Sequence, residues 1–578
     1  MTEFTVWAPE AARVRLRLPG AADHAMRQGP DGWWRVEVPD AGPGTDYAFL
    51  LDDDEQALPD PRSAWQPAGV HGPSRLYDHA AFGWTDAAWT GRQLPGSVLY
   101  ELHIGTFTPE GTFDAAIAKL DHLVDLGVDM VELLPVNAFN GEYNWGYDGV
   151  CWYAPHEPYG GPDGLKRFVD AAHAKGLGVI LDVVYNHFGP SGAYAPRFAP
   201  YLTEQSNTWG RTVNLDGPHS DGVRRYIADS VLTWLRDYHV DGLRLDAVHA
   251  MPDGRAVHWL EEVAAEVEAL STHLGRPLSL IAESDLNDPR LITPREAGGY
   301  GLHAQWNDDA HHALHTLLTG ERQGYYGDFG SLECLTDVLT GGFFHAGTWS
   351  SFRGRSHGRP VDRQRTPGHR FVAYLQNHDQ IGNRATGDRI SATLSPGLLR
   401  VGATLLMTAP FTPMLFMGEE WAASTPWQFF TSHPEPELAS AAVATGRRRE
   451  FADHGWATDD VPDPQDPQTF LRSRLDWAEL DKPEHRETYD LYRRLIALRR
   501  SRADLSDPRL DRVDVRHGDR FLVMRRGETL VVANLAGRAQ RINLPGVVRR
   551  VLLATSEGVT VMRDGIELPP ESAAIVAL

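Results

Sequence analysis

A chain of 578 residues is longer than one ordinary core holds, so two or three domains are expected, and 42% hydrophobic with 23% charged residues is a globular balance. With 78 acidic against 55 basic residues the formal charge is −23, which excludes a field that draws in nucleic acid or anionic lipid and favours a neutral or cationic partner. No stretch approaches the roughly 20 apolar residues of a membrane span, and the start Met1 to Pro9 lacks the basic residues and apolar core of a signal peptide. Cys151 and Cys334 are too few for a disulfide framework or a cysteine-built zinc site, so a cytoplasmic enzyme or binding protein is expected. Seventeen tryptophans exceed what a core needs and suggest rings on a binding surface.

Residues 1–85 read as short strands, Phe4 to Pro9, Val14 to Leu18, Trp33 to Val38 and Tyr47 to Leu51, parted by Gly, Pro and Asp clusters. That punctuation predicts a small β-sandwich, in which Leu58 to Ser63 is a rigid turn. A loose linker, 86–97, follows. From Val98 apolar runs alternate with amphipathic helices, the pattern of βα units on a parallel sheet. Eight runs are present: Val98 to Phe107, Met130 to Val136, Gly178 to His187, Gly242 to Val248, Leu278 to Asp285, Leu302 to Asp309, Phe371 to Asp379 and Pro413 to Trp421. Eight parallel strands close a (β/α)8 TIM barrel, here predicted over 98–505. Helices are expected at Phe113 to Leu126, Gly164 to Lys175, Pro396 to Met407 and Thr488 to Arg500. Two connections are long. The one at 188–220 is a small excursion over the barrel mouth, and Ala310 to Arg370 starts as helix and ends in a mobile Arg353 to His369 loop. Strands Phe521 to Arg525, Thr529 to Asn534, Val548 to Leu553 and Ala573 to Leu578 make a C-terminal β-domain over 511–578. The fold class is therefore α/β, a barrel flanked by two β-sandwiches.

Polar groups end five of the eight runs: Asp182 with Asn186 and His187, Arg244 with Asp246, Glu283, His378 with Asp379, and Glu419 with Glu420. A lone Arg-x-Asp is ordinarily a structural ion pair, but strand ends of a closed parallel barrel converge at one mouth, so these groups are expected to share a pocket. Converging carboxylates repel unless paired or protonated, which drives their pKa values apart. Two carboxyls so separated are the equipment of glycoside cleavage. Asp246, with Arg244 on the same strand face, suits the ionised nucleophile. Glu283, with no cation beside it in Leu280-Ile-Ala-Glu-Ser, suits the protonated acid. Tyr143, Trp145, Tyr147, Trp152, Tyr153 and Tyr159 add flat rings of the kind that match pyranose faces, or else pack a loop. Glu419 and Glu420 read equally as sugar contacts and as salt-bridge partners.

These residues resemble the α-amylase family, glycoside hydrolase family 13. Asp182-Val-Val-Tyr-Asn-His187 is similar to its first motif, Gly242-Leu-Arg-Leu-Asp-Ala-Val-His249 to its second, Glu283 in Ala-Glu-Ser to its third, and Asn377-His-Asp-Gln380 to its fourth. The resemblance implies Asp246 as nucleophile, Glu283 as general acid/base and Asp379 as a third carboxylate gripping ring hydroxyls. It also implies Tyr147, His187, Arg244, His378, His249 and Trp145 as substrate-binding residues. Asp182 would be structural. Asn186 would tie the third loop; positions like it help hold calcium in some members, but further oxygen ligands are lacking, so no metal and no cofactor is expected. Tyr143 to Gly149, Ala282 to Pro289, Gln376 to Asn383 and Met417 to Phe430 are similar to those of members that act on maltooligosyltrehalose and related α-glucans. Those members hydrolyse the α-1,4 bond next to the terminal trehalose and release trehalose and a shorter maltooligosaccharide. A branching transglycosylase with the same catalytic groups, and a catalytically silent glucan-binding protein, are the alternatives.

Overall fold

The computed structural model describes residues 2–207, 209–438 and 461–578; residue 208 and residues 439–460 of the predicted catalytic span lie outside the described residues. Eight parallel strands close on themselves: β1 Leu99–Leu102, β2 Met130–Leu133, β3 Gly178–Val183, β4 Gly242–Leu245, β5 Ser279–Ala282, β6 Ala304–Trp306, β7 Phe371–Ala373 and β8 Thr412–Phe416, in that order around the barrel. Each is fully buried, because helices cover the outside and side chains fill the inside.

Alternation along the strands sorts the two faces. Leu99, Met130, Ile180, Ile281, Ala304, Val372 and Met414 meet one another in the lumen, whereas Val131, Leu133, Val179, Leu181, Leu243 and Leu245 belong to the outer core under the helices. One layer nearer the C-terminal ends, the lumen turns polar. Glu101 pairs with Glu132 across β1 and β2, and Asp182 with Arg244 across β3 and β4. The predicted runs are longer than the strands, since their polar ends lie in the turns and first helical residues that follow, at the mouth.

The outer helices end where the sequence signals. Gly161–Ala174 and Pro396–Thr408 lie where helices are expected, the latter started by Ser395, whose side chain accepts from Leu398 N, with Pro396 at its first position. The helix expected over Phe113 to Leu126 is two, Phe113–Ile117 and Leu120–Leu126, the second stopped by Gly127 at φ 98°. The long connection after β6 carries, besides its first helix Asp308–Thr319, a second helix Leu332–Gly341 and a hairpin of Thr348–Ser350 with Arg355–His357. The loop expected over Arg353 to His369 therefore begins inside that hairpin.

At the N-terminal end, sheets of Thr2–Trp7, Trp33–Val38 and Arg27–Gln28, and of His24–Ala25, Val14–Arg17, Asp46–Leu51 and Ser74–Arg75, share a core of Phe4, Val14, Leu16, Trp34 and Phe49. Phe198, from the excursion after β3, completes that core. The excursion itself is a hairpin, Leu202–Asn207 with Gly210–Val213. At the other end a five-stranded and a three-stranded sheet follow the helix Pro483–Ser501. Among the described residues no helix is long and apolar enough to cross a membrane.

Candidate active site

Arg244 is the centre of the mouth. Its side chain has no exposed surface, and its guanidinium lies 4.2 Å over the Trp306 ring. Nη1 donates to Asp182 Oδ2 at 2.8 Å and to Asp246 Oδ1 at 2.7 Å, and Nη2 stands 3.9 Å from Glu283 Oε2. The expectation that Glu283 has no neighbouring cation is thus corrected: the arginine reaches it, at a longer distance, because β5 lies next to β4. Asp246 is held further by Asn186, whose amide donates to Oδ2 at 2.5 Å and to the Asp246 carbonyl at 3.2 Å. Asn186 therefore ties the third loop to the second motif. Among the described residues no group of His, Cys, Asp and Glu side chains is arranged to hold a metal ion.

Glu283 is positioned by the turn after β4. Ala247 sits at φ 38°, a left-handed conformation that costs a residue with a Cβ about 1–2 kcal/mol. It aims its N–H at Glu283 Oε2, 2.6 Å away. Burial, followed by the charges of Asp246, Asp308 and Asp379, outweighs Arg244 and pushes the Glu283 carboxyl up to about 8.

A second chain of bonds runs beneath. His378 Nδ1 faces Glu101 Oε1 at 2.5 Å, and the His378 backbone N–H donates to Glu101 Oε2 at 3.0 Å. Burial works against charge on this imidazole, yet Asp379 and Glu101 hold its pKa up at about 9. As an imidazolium it donates from Nε2 to the Tyr147 hydroxyl at 2.7 Å, which donates onward to Asp182 Oδ2 at 2.6 Å. His187 bonds the Tyr147 carbonyl through Nε2 at 3.0 Å, and burial keeps its pKa below the usual value.

The charged groups therefore form two tiers. Asp182, Arg244, Glu101 and His378 are closed off, at 0–2% side-chain exposure, while Asp246 at 14%, Glu283 at 18% and Asp379 at 42% face the opening. The upper tier is the part that faces an incoming substrate most openly.

Other expected residues lie differently. Trp145 is 4% exposed; it stacks on Trp427 at 5.4 Å and meets His378 edge-on, so its ring backs the site. Trp427 in turn donates from Nε1 to the His378 carbonyl at 3.0 Å. Tyr143 stacks on Phe470, Trp152 on Phe188, and Tyr153 bonds the Tyr226 carbonyl, so of that ring-rich stretch Tyr147 alone joins the acid cluster. Rings open to solvent occur instead on the long connections, at Trp209, Trp349 and Phe352. Trp209 lies parallel to His187 at 6.3 Å. His249 follows Asp246 by three positions, with Nε2 3.8 Å from Asp285 Oδ1, and Arg353 donates to Asp285 Oδ2 at 2.9 Å. Glu419 and Glu420 are turned away from the mouth: Glu419 accepts from Tyr492, and Glu420 accepts from Tyr100 and bonds His122.

Sequence reasoning missed Glu101 and Asp308. Both stand in the same apolar runs that flagged the other acids, so the signal was present, although nothing local separates an interior carboxylate from a turn residue.

A closed parallel barrel with paired and unpaired carboxyls at its mouth defines a glycoside hydrolase of the α-amylase type, and residues 73–209 match the family described as alpha amylase, catalytic domain. Residues 508–575 match a domain of unknown function, DUF3459. The chain is 58% identical to the malto-oligosyltrehalose trehalohydrolase of Rhizobium sp. (strain M-11), over 99% of this chain and 97% of that one. It is 57% identical to that of Mycobacterium tuberculosis (strain CDC 1551 / Oshkosh), over 94% of each. A 1,4-alpha-glucan branching enzyme from Corynebacterium efficiens is 32% identical over 53% of the chain. Among solved structures, a putative alpha amylase from Salmonella typhimurium superposes with a TM-score of 0.90 at 39% identity, covering 100% of this chain and 97% of that one. The chain belongs to the malto-oligosyltrehalose trehalohydrolase family.

Proposed function

We infer that the protein is a retaining glycoside hydrolase that cleaves the α-1,4-glucosidic bond next to the terminal trehalose of maltooligosyltrehalose, releasing trehalose and a maltooligosaccharide. One observation carries the assignment of roles: Arg244 bonds Asp246 at 2.7 Å but stands 3.9 Å from Glu283. The acid nearer the guanidinium is the nucleophile, and the acid pushed up to about 8 is the proton donor.

In the first step the Asp246 carboxylate attacks the anomeric carbon of the glucose bonded to trehalose. The carbon–oxygen bond breaks, and the Glu283 proton goes to the departing O4 of trehalose. In the second, Glu283 takes a proton from water, whose oxygen displaces Asp246 and leaves the maltooligosaccharide with its original anomeric configuration. Asp379 accepts hydroxyl hydrogen bonds as the oxocarbenium ion develops. Arg244, Tyr147, His187 and His378 frame the attacked ring, His249 lies towards the leaving side, and Trp145 keeps His378 in place.

Maltopentaose and its trehalose-capped counterpart, offered side by side, test the reading. A large preference in turnover for the capped sugar is expected, and equal turnover refutes it. The formation of α-1,6 branches on amylose would indicate transglycosylation, as in the distant branching relative.

A further inference from the structure

Asp308 opens the helix Asp308–Thr319 directly after β6, where Asn307 caps the helix by accepting from Ala310 N. Its neighbour Asp309 is buried and spends one oxygen on Asn287, Phe344 N and His345 N. Asp308 is different. Its side chain is partly exposed, and Oδ1 accepts from the Tyr374 hydroxyl at 2.5 Å and from Gln380 Nε2 at 3.2 Å. Among the described residues Oδ2 has no hydrogen-bond donor, and no cation pairs with either oxygen. Burial, then the charges of Asp379 and Asp285, raise its pKa, so it sits in a field of like charge.

One oxygen is thus fixed by two protein donors, and the other is left for a donor from elsewhere. In an uncharged ligand that donor is a hydroxyl. Successive strand ends β4 to β7 bring Asp246, Glu283, Asp308 and Asp379 around the mouth in that order, so Asp308 lies beyond Glu283 from the nucleophile. Glu283 protonates the departing oxygen, and the sugar on that side is the one that leaves.

We propose that Asp308 is a specificity-determining residue that accepts a hydrogen bond from a hydroxyl of the departing trehalose. This rests on the reading above. Two variants test it: Asp308→Asn keeps an acceptor for Tyr374 but puts an N–H₂ where the bare oxygen stood, and Asp308→Ala removes both. Inhibition by trehalose and by maltotriose, the second as a stand-in for the maltooligosaccharide product, is measured on each. The expected result is a trehalose inhibition constant raised about tenfold in both variants, with maltotriose changed by no more than about twofold. An unchanged trehalose constant overturns the proposal, as does equal weakening of the two sugars, which is what a purely structural role gives. Glu283→Gln tests the underlying reading separately: if that variant keeps its turnover the mechanism falls, whatever Asp308 does.

Discussion

Arg244 serves three acids with one cation, and the distances decide what each becomes. Asp182 and Asp246 are both bonded directly, while Glu283 takes the longest contact, and there burial outweighs the arginine. In the proposed mechanism Glu283 acts while it carries a proton, so its alkaline limb should leave kcat/KM unaffected below about pH 8 and lower it tenfold per pH unit above. A pH profile reads this directly, and an alkaline limb near pH 5 would contradict it. Glu283→Gln should lower kcat by roughly a hundred- to ten-thousand-fold with KM little changed, measured on the trehalose-capped substrate. Tyr147→Phe removes the hydroxyl that links His378 to Asp182 and leaves two buried charged partners short of a bond. We expect kcat about tenfold lower at nearly unchanged melting temperature, and a loss confined to KM would show that the hydroxyl only binds.

At the scale of elements, all eight strands were legible, because strands buried on both faces read as mainly apolar runs and, from Val98 to Trp421, eight of them alternate with helices. Their polar ends marked the mouth for the same reason. What stayed hidden depended on partners distant in sequence. Nothing within Tyr143 to Tyr159 separates Tyr147, which meets Asp182, from Trp152, which packs on Phe188. The hairpin of Thr348–Ser350 with Arg355–His357 is too short and polar to leave an alternating signature. The linker is likewise more ordered than its composition suggests. Asp86 bonds His173, and Trp89 donates to Asp241, which also accepts from His173, Arg276 and Val179 N and is fully buried. Asp241→Ala leaves those donors stranded, including a buried arginine, and should cost about 3–5 kcal/mol by denaturant unfolding. Burial opposes the His173 charge, but Asp241 and Asp86 raise its pKa above 6.5. Its contribution to stability is therefore complete below about pH 6.5 and fades as pH rises through the raised value. His173→Gln should flatten that part of the stability curve.

Across the whole molecule, the terminal β-domains are fastened by arginines. Arg62, in the turn after the first sheets, lies 5.3 Å over both Trp33 and Tyr226, and donates to Asp229 at 2.8 Å and Tyr153 at 3.1 Å. At the other end Arg526 donates to the Thr408 carbonyl and Arg499 to those of Met407, Ala409 and Phe411, which closes the C-terminal end of the helix Pro396–Thr408. Arg62→Ala should loosen the N-terminal sheets from the barrel at a cost of roughly 1–3 kcal/mol. Limited proteolysis within 84–97 should then quicken while the barrel fragment stays intact; an unchanged digestion pattern would show that Phe198 and its neighbours suffice to hold the module.

The left-handed residue between β4 and its turn gives the barrel a shared lever. On the mechanism proposed above, one peptide unit carries the attacking side chain on its carbonyl side and lends its amide to the proton donor, so that attack and protonation would be kept in step by a single kinked linkage. Relaxing that kink would let the two groups drift relative to each other while each remained chemically intact. Turnover would fail first, well before the scaffold did.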